Sequence, residues 1–272
     1  MPIVAGAKDQ QEWKWQDLSG DDIIKRNREL MKQLDWETSM KQKEPDQRKG
    51  IPPPSPQKPP SEGAELIELV RPDEISLGRR ALIDLIRQRR SRRDYTKESL
   101  SVEELSFLLW ATQGVQQVLN RGRTMRTVPA GGALHPFETY LIIRRVEKIQ
   151  SGIYRYLPLE HRLTKIRELD LGISKQLQEA IPGDFVRDAA VVFLWTVIPY
   201  RKEWRYGTIA YKDILLDAGH VCQNLYLACE AIQAGTCAIL SYNQMKADAL
   251  LNVDGEDEYT VYTATVGKIE VV

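Results

Sequence analysis

Five arginines fall within the seven residues of the segment Arg87–Arg93, where Ser91 separates two pairs of them. Like charges at this density repel one another unless an anion lies among them, and guanidinium groups bind phosphate oxygens through paired hydrogen bonds. The segment also follows a predicted helix, where positive charge complements the helix dipole. Three interpretations therefore stay open from the residues alone: a bound phosphate, a nucleic-acid or targeting patch, and a solvated run of charge.

A turn-rich loop, Val128–Pro136, leads directly into a predicted strand. Its adjacent residues Gly131 and Gly132 have no Cβ, so the backbone can adopt positive φ and approach a flat ligand closely. An ordinary turn also uses glycines, so the loop alone does not decide between the two. His135 precedes a proline, which favours an extended backbone, and we interpret it as a packing residue.

Several catalytic patterns do not occur in the sequence. It holds neither an HExxH nor a CxxC pair, so we predict no metal site. It also lacks a Walker A pattern, a Gly-x-Gly-x-x-Gly fingerprint and a Gly-x-Ser-x-Gly elbow, which argues against the usual ATP, dinucleotide and α/β-hydrolase sites. The spacings of Cys222, Cys229 and Cys237 fit no zinc or disulfide framework, and we expect buried free thiols.

The spacing of apolar residues predicts the elements that must position these segments. Helices are expected over Leu77–Arg89, Ser101–Thr112 and about Thr208–Ala234. The second begins with Ser101 followed by Glu104, a capping-box pattern. The third is apolar on more than one face, so we expect a central or dimer-forming helix. Five stretches rich in β-branched or aromatic residues are predicted strands: Glu138–Val146, Ile153–Tyr156, Arg162–Ile166, Ala190–Ile198 and Tyr259–Val266.

The first 60 residues differ in composition from the remainder. Residues 45–60 hold seven of the fourteen prolines, which predicts an extended linker. Ahead of it lies a charged arm with one helical pattern over Asp21–Leu34 and three tryptophans, Trp13, Trp15 and Trp36. The arm either docks on a partner or on the main domain, or is a mobile tail with a transient helix. We therefore divide the chain into an arm with a Pro-rich linker, residues 1–60, partly disordered or docking, and an α+β domain, residues 61–272.

The charge balance excludes some classes of function. The 272 residues include 38 Lys+Arg and 38 Asp+Glu, so no large positive field attracts nucleic acids or membrane surfaces. The longest predominantly apolar stretch, Ala189–Ile198, is about half of what crosses a bilayer. The N-terminal residues show no apolar segment of signal-peptide length. We expect a cytoplasmic protein without a nucleic-acid or membrane partner.

Seven segments, taken in order, resemble the FMN-dependent nitroreductase superfamily, and in particular its SagB-type (thiazole/oxazole dehydrogenase-like) branch. The resemblance covers about Glu65 to the C-terminus. The matching segments are Arg89–Tyr95, Leu100–Gly114, Thr127–Pro136, Trp204–Gly207, Asp217–Ala228, Gly235–Ile239 and Val266–Lys268. It implies an α+β, nitroreductase-like fold with a central, mostly antiparallel sheet flanked by helices. It also implies an intertwined homodimer with FMN at each subunit interface, and Gln223 and Asn224 facing the dimer seam.

The resemblance also implies which residues bind the cofactor. The FMN phosphate and ribityl chain would be held by Arg89, Arg90, Ser91 and Arg93, with Lys268 as a further candidate at the phosphate. The isoalloxazine ring would lie against Pro129, Ala130, Gly131 and Gly132, often of the partner chain. Backbone contacts to the flavin would come from Ala238, Ile239, Leu240 and Ser241.

The implied chemistry is a ping-pong reaction. NAD(P)H is the expected co-substrate, and a hydride passes through flavin N5 to a small electron-poor acceptor such as a nitro compound or a quinone. The flavin carries the redox step, so no protein acid or base is strictly required. Two alternatives stay open: a SagB-type azoline dehydrogenase or oxidase acting on a heterocyclised peptide, and a flavin-binding scaffold without turnover. In the first, the N-terminal arm would recruit a peptide or protein partner.

One departure from the azoline oxidases bears on that choice. Those enzymes carry a Lys-Tyr pair ahead of the long helix, with the lysine proposed as general base, and the corresponding residues here are Arg205 and Tyr206. Arginine stays protonated and is a poor base, which counts against azoline oxidation. Lys212, which follows Tyr211, is a possible substitute if it is desolvated.

Overall fold

The computed structural model describes residues 19–32 and 36–270. The predicted roles of Trp13 and Trp15 lie outside the described residues. The helices are α1 Gly20–Met31, α2 Trp36–Gln42, α3 Leu82–Gln88, α4 Val102–Gln113, α5 Leu171–Ala180, α6 Asp184–Asp188, α7 Tyr200–Tyr206, α8 Ala210–Ala231 and α9 Gln244–Leu251. The strands are β1 Leu66–Glu68, β2 Val115–Val118, β3 Thr124–Arg126, β4 Phe137–Ile143, β5 Gly152–Leu157, β6 Arg162–Glu168, β7 Val191–Val197, β8 Ala234–Ile239 and β9 Tyr259–Lys268.

A seven-stranded sheet forms the centre of the fold. Its strand order is β1-β6-β5-β4-β7-β9-β8, and every neighbouring pair is antiparallel. The central strands β4 and β7 are buried along their whole length, so both faces of the sheet must be covered. Phe193 and Trp195 pack with residues of α4 and α8 on one face, while Val192 and Leu194 pack with residues of α5 and α9 on the other. The predicted α+β fold, a mostly antiparallel sheet flanked by helices, is confirmed.

The helix α8 is shorter than its sequence pattern suggested. A 3-10 turn, Gly207–Ile209, precedes it, and Gly207 takes a φ of 52°, so the α-helix begins only at Ala210. At the other end Gln233 adopts a φ of 57°, which ends the helix. The prediction of helix through Ala234 is therefore wrong, because the chain enters β8 at that residue. The three cysteines are buried free thiols, as predicted.

The first predicted helix of the domain is also shorter, since α3 begins at Leu82 rather than Leu77. Gly78 takes a φ of 78° and lies against the Phe107 ring, so the helix cannot extend toward the N-terminus through this residue. Only Leu85 of α3 is buried, which leaves an exposed apolar surface at Leu82, Ile83 and Ile86. The helix α4 follows its prediction closely: Ser101 Oγ accepts from the Glu104 N–H, and the Glu104 carboxylate accepts from the Ser101 N–H at 2.8 Å.

The proline-rich segment is a packed part of the fold. We call residues 45–60 the strap. Proline has no N–H, so an extended proline-rich chain leaves its carbonyl oxygens open to other donors. Those donors are three buried guanidinium groups: Arg126 donates to Pro56 O at 3.0 Å, Arg155 to Lys58 O at 3.0 Å and Pro59 O at 2.7 Å, and Arg201 to Ser55 O at 2.9 Å.

A buried carboxylate completes the attachment of the strap. Glu138 accepts from Arg155 at 3.0 Å, from Arg201 at 2.5 Å and from the backbone N–H of Lys58 at 2.8 Å. The ammonium of Lys58 in turn pairs with Glu258. The segment predicted as a linker therefore has many contacts with the sheet, and these contacts cross the domain boundary predicted at residue 60.

The helix α1 lies outside this packing. It buries none of its residues. Its C-terminal carbonyls contact the start of α8, where Tyr211 donates to Leu30 O and Lys212 donates to Met31 O at 2.9 Å. In the part of the chain that the structure describes, no helix combines the length and apolarity that crossing a membrane requires.

Candidate functional site

The arginine segment leaves the end of α3 and runs beside β8, where the Arg92 N–H donates to Thr236 O at 3.0 Å. Tyr226 of α8 joins the two. Its hydroxyl lies 2.8 Å from Ser91 Oγ and accepts from the Ala238 N–H at 2.9 Å, while the Arg89 guanidinium lies 5.3 Å from the centre of its ring. Three residues predicted from the sequence to bind the cofactor, Arg89, Ser91 and Ala238, thus meet at one side chain.

Tyr226 itself was missed by the sequence analysis. The only available signal was its place in the matching segment Asp217–Ala228, where it was assigned to the helix rather than to the site. A tyrosine on an apolar helix is usually a core residue, and only the fold shows that its hydroxyl serves two elements.

The charges of the arginine segment are unevenly neutralised. Arg92 pairs with the buried Glu230, at 3.0 and 3.2 Å from its two carboxylate oxygens. Among the described residues, no carboxylate lies within 4.0 Å of Arg89, Arg90 or Arg93. Three positive charges within five residues of sequence therefore have no carboxylate partner, which favours a bound anion.

Arg90, Ser91 and Arg93 face a cleft of about 1050 Å³, which we call the arginine cleft. Phe185 forms part of its wall, and the Arg93 guanidinium lies 5.8 Å from the centre of that ring. The cleft is also lined by carboxylates. Asp188 pairs with Lys97 at 2.7 Å, which lowers the pKa of Asp188, and Asp184 pairs with Arg187 at 3.0 Å. Among the described residues, Asp94 and Glu270 of the lining have no ion pair, and neither do Arg90 and Arg93.

The other predicted cofactor residues of this region are placed differently. Lys268 pairs with the Glu104 carboxylate, so its positive charge is already neutralised. The side chain of Ile239 is buried in the core, whereas Leu240 and Ser241 are exposed beyond the end of β8.

The predicted glycine loop forms a 3-10 turn, Gly131–Ala133, directly after Pro129 and Ala130. Gly132 takes a φ of 65°, and a Cβ at this position would lie 2.5 Å from the Tyr206 hydroxyl. A Cβ on Gly131 would clash with the carboxylate of Asp213. Both glycines are therefore required by the close approach of α7 and α8.

The structure brings Arg205 and Tyr206 to this turn. The Arg205 guanidinium lies 5.5 Å from the centre of the Tyr206 ring. Burial raises the pKa of Tyr206, partly opposed by Arg205, so its phenol stays protonated at neutral pH. Lys212 does not join them, because its ammonium reaches Met31 O of α1 instead.

A fully buried lysine lies beneath the turn. The Lys202 ammonium is 2.6 Å from carboxylate oxygens of both Asp213 and Asp217, and it donates to Gly131 O at 3.0 Å. Sequence reasoning missed this group. The two aspartates are four residues apart on one helix face, a signal that could have been noticed, but nothing local links them to a lysine on α7.

The two groups of predicted flavin residues lie toward opposite ends of α8. Asp213, under the glycine turn, and Tyr226, at the arginine segment, are thirteen residues apart, which is about 20 Å along a helix at 1.5 Å per residue. Between them α8 exposes a stripe of residues: Leu215, Leu216, Gly219, His220 and Gln223. Asn224, which was expected at a dimer seam together with Gln223, donates to Ala111 O at 2.8 Å within the chain.

His135 lies in the same loop and gives the fold a pH dependence. Burial, together with the positive charges of Arg126 and Lys202, lowers the pKa of His135 to about 2. The unfolded chain takes up a proton near pH 6.5, whereas the folded chain does not until far lower pH. The stabilising contribution is therefore complete above pH 6.5 and is lost as the pH falls.

The contribution of His135 to the free energy of unfolding can be measured through its pH dependence. From pH 6.5 to 5 the free energy of unfolding should fall by about 1.5 kcal/mol more in the native chain than in His135→Gln, which has no such titration. Urea denaturation at the two pH values measures the difference. Equal losses in both proteins would contradict a neutral, buried His135.

Comparisons with known proteins relate the chain to one family and its fold. The sequence model of the nitroreductase family matches residues 86–268. A nitroreductase homologue of Methanocaldococcus jannaschii is 29% identical over 187 residues, 69% of this chain and 90% of the relative. The microcin B17-processing protein McbC of Escherichia coli is 24% identical over 140 residues, 49% of this chain and 50% of that protein. The crystal structure of a nitroreductase homologue from Ralstonia eutropha superposes with a TM-score of 0.63 at 24% identity, covering 82% of this chain and 96% of that one.

Proposed function

This chain belongs to the nitroreductase family, and from that premise we propose that it is an FMN-dependent oxidoreductase. Its reductant is NAD(P)H and its acceptor a small electron-poor molecule such as a nitro compound or a quinone. When bound, FMN would supply the redox chemistry, accepting a hydride at N5 and passing electrons on in ping-pong order. The residues of the chain bind the flavin, orient the acceptor and shield the site from water.

One observation carries the proposal: Arg89, Arg90 and Arg93 have no carboxylate partner among the described residues, although they fall within five residues of sequence. An arginine fork fits the oxygens of a phosphate, and the hydroxyl of Ser91, which lies between them in sequence, can donate a further hydrogen bond. The residues therefore fit the phosphate end of FMN. Pairing of Arg92 with Glu230 fixes the backbone of the segment beside β8 without using the other three charges.

The separation of the two groups along α8 supports a homodimer. The midpoint between Asp213 and Tyr226 along α8 lies between Gly219 and His220. Two copies of α8 that pack antiparallel around this point would place the glycine turn of one chain beside Tyr226 of the other. Gly219 suits the crossing, since a Cβ there would meet nothing within 4 Å and the partner helix can approach closely.

In such a dimer the turn residues of one chain and the arginine cleft of the other complete one site. Gly131 and Gly132 present backbone without side chains to the flat ring system. Tyr206 holds a proton on its hydroxyl beside Gly132, and Arg205 keeps a positive charge near it. These two residues orient the acceptor and stabilise developing negative charge, and no general base is needed.

Anaerobic reduction tests the proposed activity. The FMN-loaded chain is mixed with NADH or with NADPH, and the long-wavelength flavin absorbance is followed in time. We expect the absorbance to disappear with at least one of the two and to return when a quinone or nitro compound is added. A chain that binds FMN but is reduced by neither nicotinamide would be a flavin-binding scaffold instead.

A second candidate is dehydrogenation of a heterocyclised peptide, favoured by the similarity to the microcin B17-processing protein. The side chains near the turn weigh against it. Arg205 is a poor base, Lys202 is enclosed by two aspartates, and Lys212 points to α1. An azoline-containing peptide offered to the native chain and to Arg205→Lys distinguishes the candidates. Oxidation by the native chain would favour peptide processing, and gain of oxidation only in Arg205→Lys would favour the small acceptor.

A further inference from the structure

We propose that Lys202, braced by Asp213 and Asp217, is a positioning residue that holds the carbonyl of Gly131 and so fixes the ring-facing turn. We call these three residues the clamp. The inference rests on the proposed flavin site, because it explains how that turn is held in place. The clamp contacts the turn rather than the acceptor, so its members are not catalytic residues.

The geometry of Gly131 carries this inference. Its carbonyl accepts from the Lys202 ammonium at 3.0 Å. The Asp213 carboxylate lies so close to the Gly131 Cα that a Cβ would clash with it. The carbonyl of Gly131 is therefore held by a charged partner, and the Asp213 carboxylate closes the space beside its Cα.

The donor count of Lys202 agrees with this arrangement. A lysine ammonium has three N–H donors, and its three near oxygens belong to Asp213, Asp217 and Gly131. The side chain is fully buried, and Asp217 is nearly so. Beyond the clamp and the turn, the His220 ring nitrogen lies 3.9 Å from Asp217, and the Lys202 ammonium lies 5.8 Å from the centre of the Tyr206 ring.

Stability alone does not account for a buried ion pair. Well-packed apolar residues of similar volume are often equally stable or more so, because two charges lose their hydration on burial. Apolar residues, however, could not donate a hydrogen bond to the C=O of Gly131. The clamp fixes the direction of the turn. Without it, only the flexible backbone of the loop itself would hold the ligand-facing residues in place.

The charge-balanced variant Lys202→Met/Asp217→Leu tests the clamp. It removes one cation and one anion, keeps the buried volume, and removes the hydrogen bond that Lys202 donates to Gly131 O. In the FMN-free protein we expect the amide of Ala133, which donates to Ala130 O within the turn, to exchange at least tenfold faster. In the FMN-loaded protein we expect reduction by NAD(P)H to slow at least tenfold while FMN affinity changes less than threefold, because the arginine cleft is intact. Lys246→Met, which removes an exposed lysine paired with Glu179, is the matched control.

The native chain gives a second test that needs no variant. Ala133 lies in a short turn, yet its amide should exchange as slowly as amides of the central strand β4. Exchange at the rate of an open loop would overturn the clamp, and so would a folded double variant with unchanged Ala133 exchange. Both exchange measurements use FMN-free protein, so failure of the proposed flavin chemistry would be recognised separately, as absence of FMN binding or of reduction.

Discussion

A fragment of residues 61–272 should fail to fold, whereas a fragment of residues 36–272 should melt cooperatively within a few degrees of the full chain. The first lacks the strap, and Arg126, Arg155 and Arg201 then lose the carbonyl oxygens that accept from them in the interior. The second loses α1, none of whose residues is buried.

The magnitude follows from the number of groups left without partners. An unsatisfied buried donor costs about 1–3 kcal/mol, and more when it is charged. Loss of the strap removes the partners of three buried guanidinium groups, the Lys58 N–H bond to Glu138, and the Ile51 carbonyl that accepts from Trp204. The sum is comparable to the whole stability of a domain, about 5–15 kcal/mol.

Circular dichroism melts of the two fragments and of the full chain provide the measurement. Both fragments lack α1, so their difference isolates residues 36–60. A cooperative melt of the 61–272 fragment near that of the full chain would show that the strap is only a linker.

The double variant Arg90→Ala/Arg93→Ala should bind FMN about 100-fold more weakly or worse. Hydrogen bonds to a charged group contribute about 1.5–3 kcal/mol each. The factors by which the loss of each guanidinium group weakens binding multiply in the binding constant. Neither arginine has a carboxylate partner among the described residues, so their removal leaves no buried charge unpaired. Arg92 is unsuitable for this test, because its loss would leave the buried Glu230 without its partner.

Arg87→Ala is the matched control, since it removes the same residue type from the same segment. The Arg87 side chain is largely exposed and lies 4.0 Å from Asp84. Titration of each variant with FMN, followed by quenching of flavin fluorescence, should show a change of less than threefold for Arg87→Ala. Equal affinities for the double variant and the native chain would mean that the phosphate binds elsewhere.

Local sequence patterns predicted the elements that depend on local chemistry. The capping box of α4 and the strands β4, β7 and β9 follow directly from residue type and spacing. The strand β8 was missed because Ala234–Ile239 is built of small residues that lack the usual β-branched alternation.

The candidate site was likewise predicted only where residues close in sequence form the pattern. A dense arginine segment and a double glycine could be recognised within ten residues of sequence. Pairing of Arg92 with Glu230 joins residues 138 apart in sequence, so the sequence could not show which charges stay open. The strap was predicted as a linker for a similar reason. Its prolines show where backbone N–H donors are missing, but the three arginines that bond its carbonyl oxygens lie far along the chain.

Titration of the full chain with FMN tests the central claim most directly. Absorbance and fluorescence should show saturable binding at one FMN per chain, and the FMN-bound protein should sediment as a dimer, since each site needs the arginine cleft of one chain and the glycine turn of the other. A chain that binds no FMN, or that binds it fully as a monomer, would contradict this arrangement.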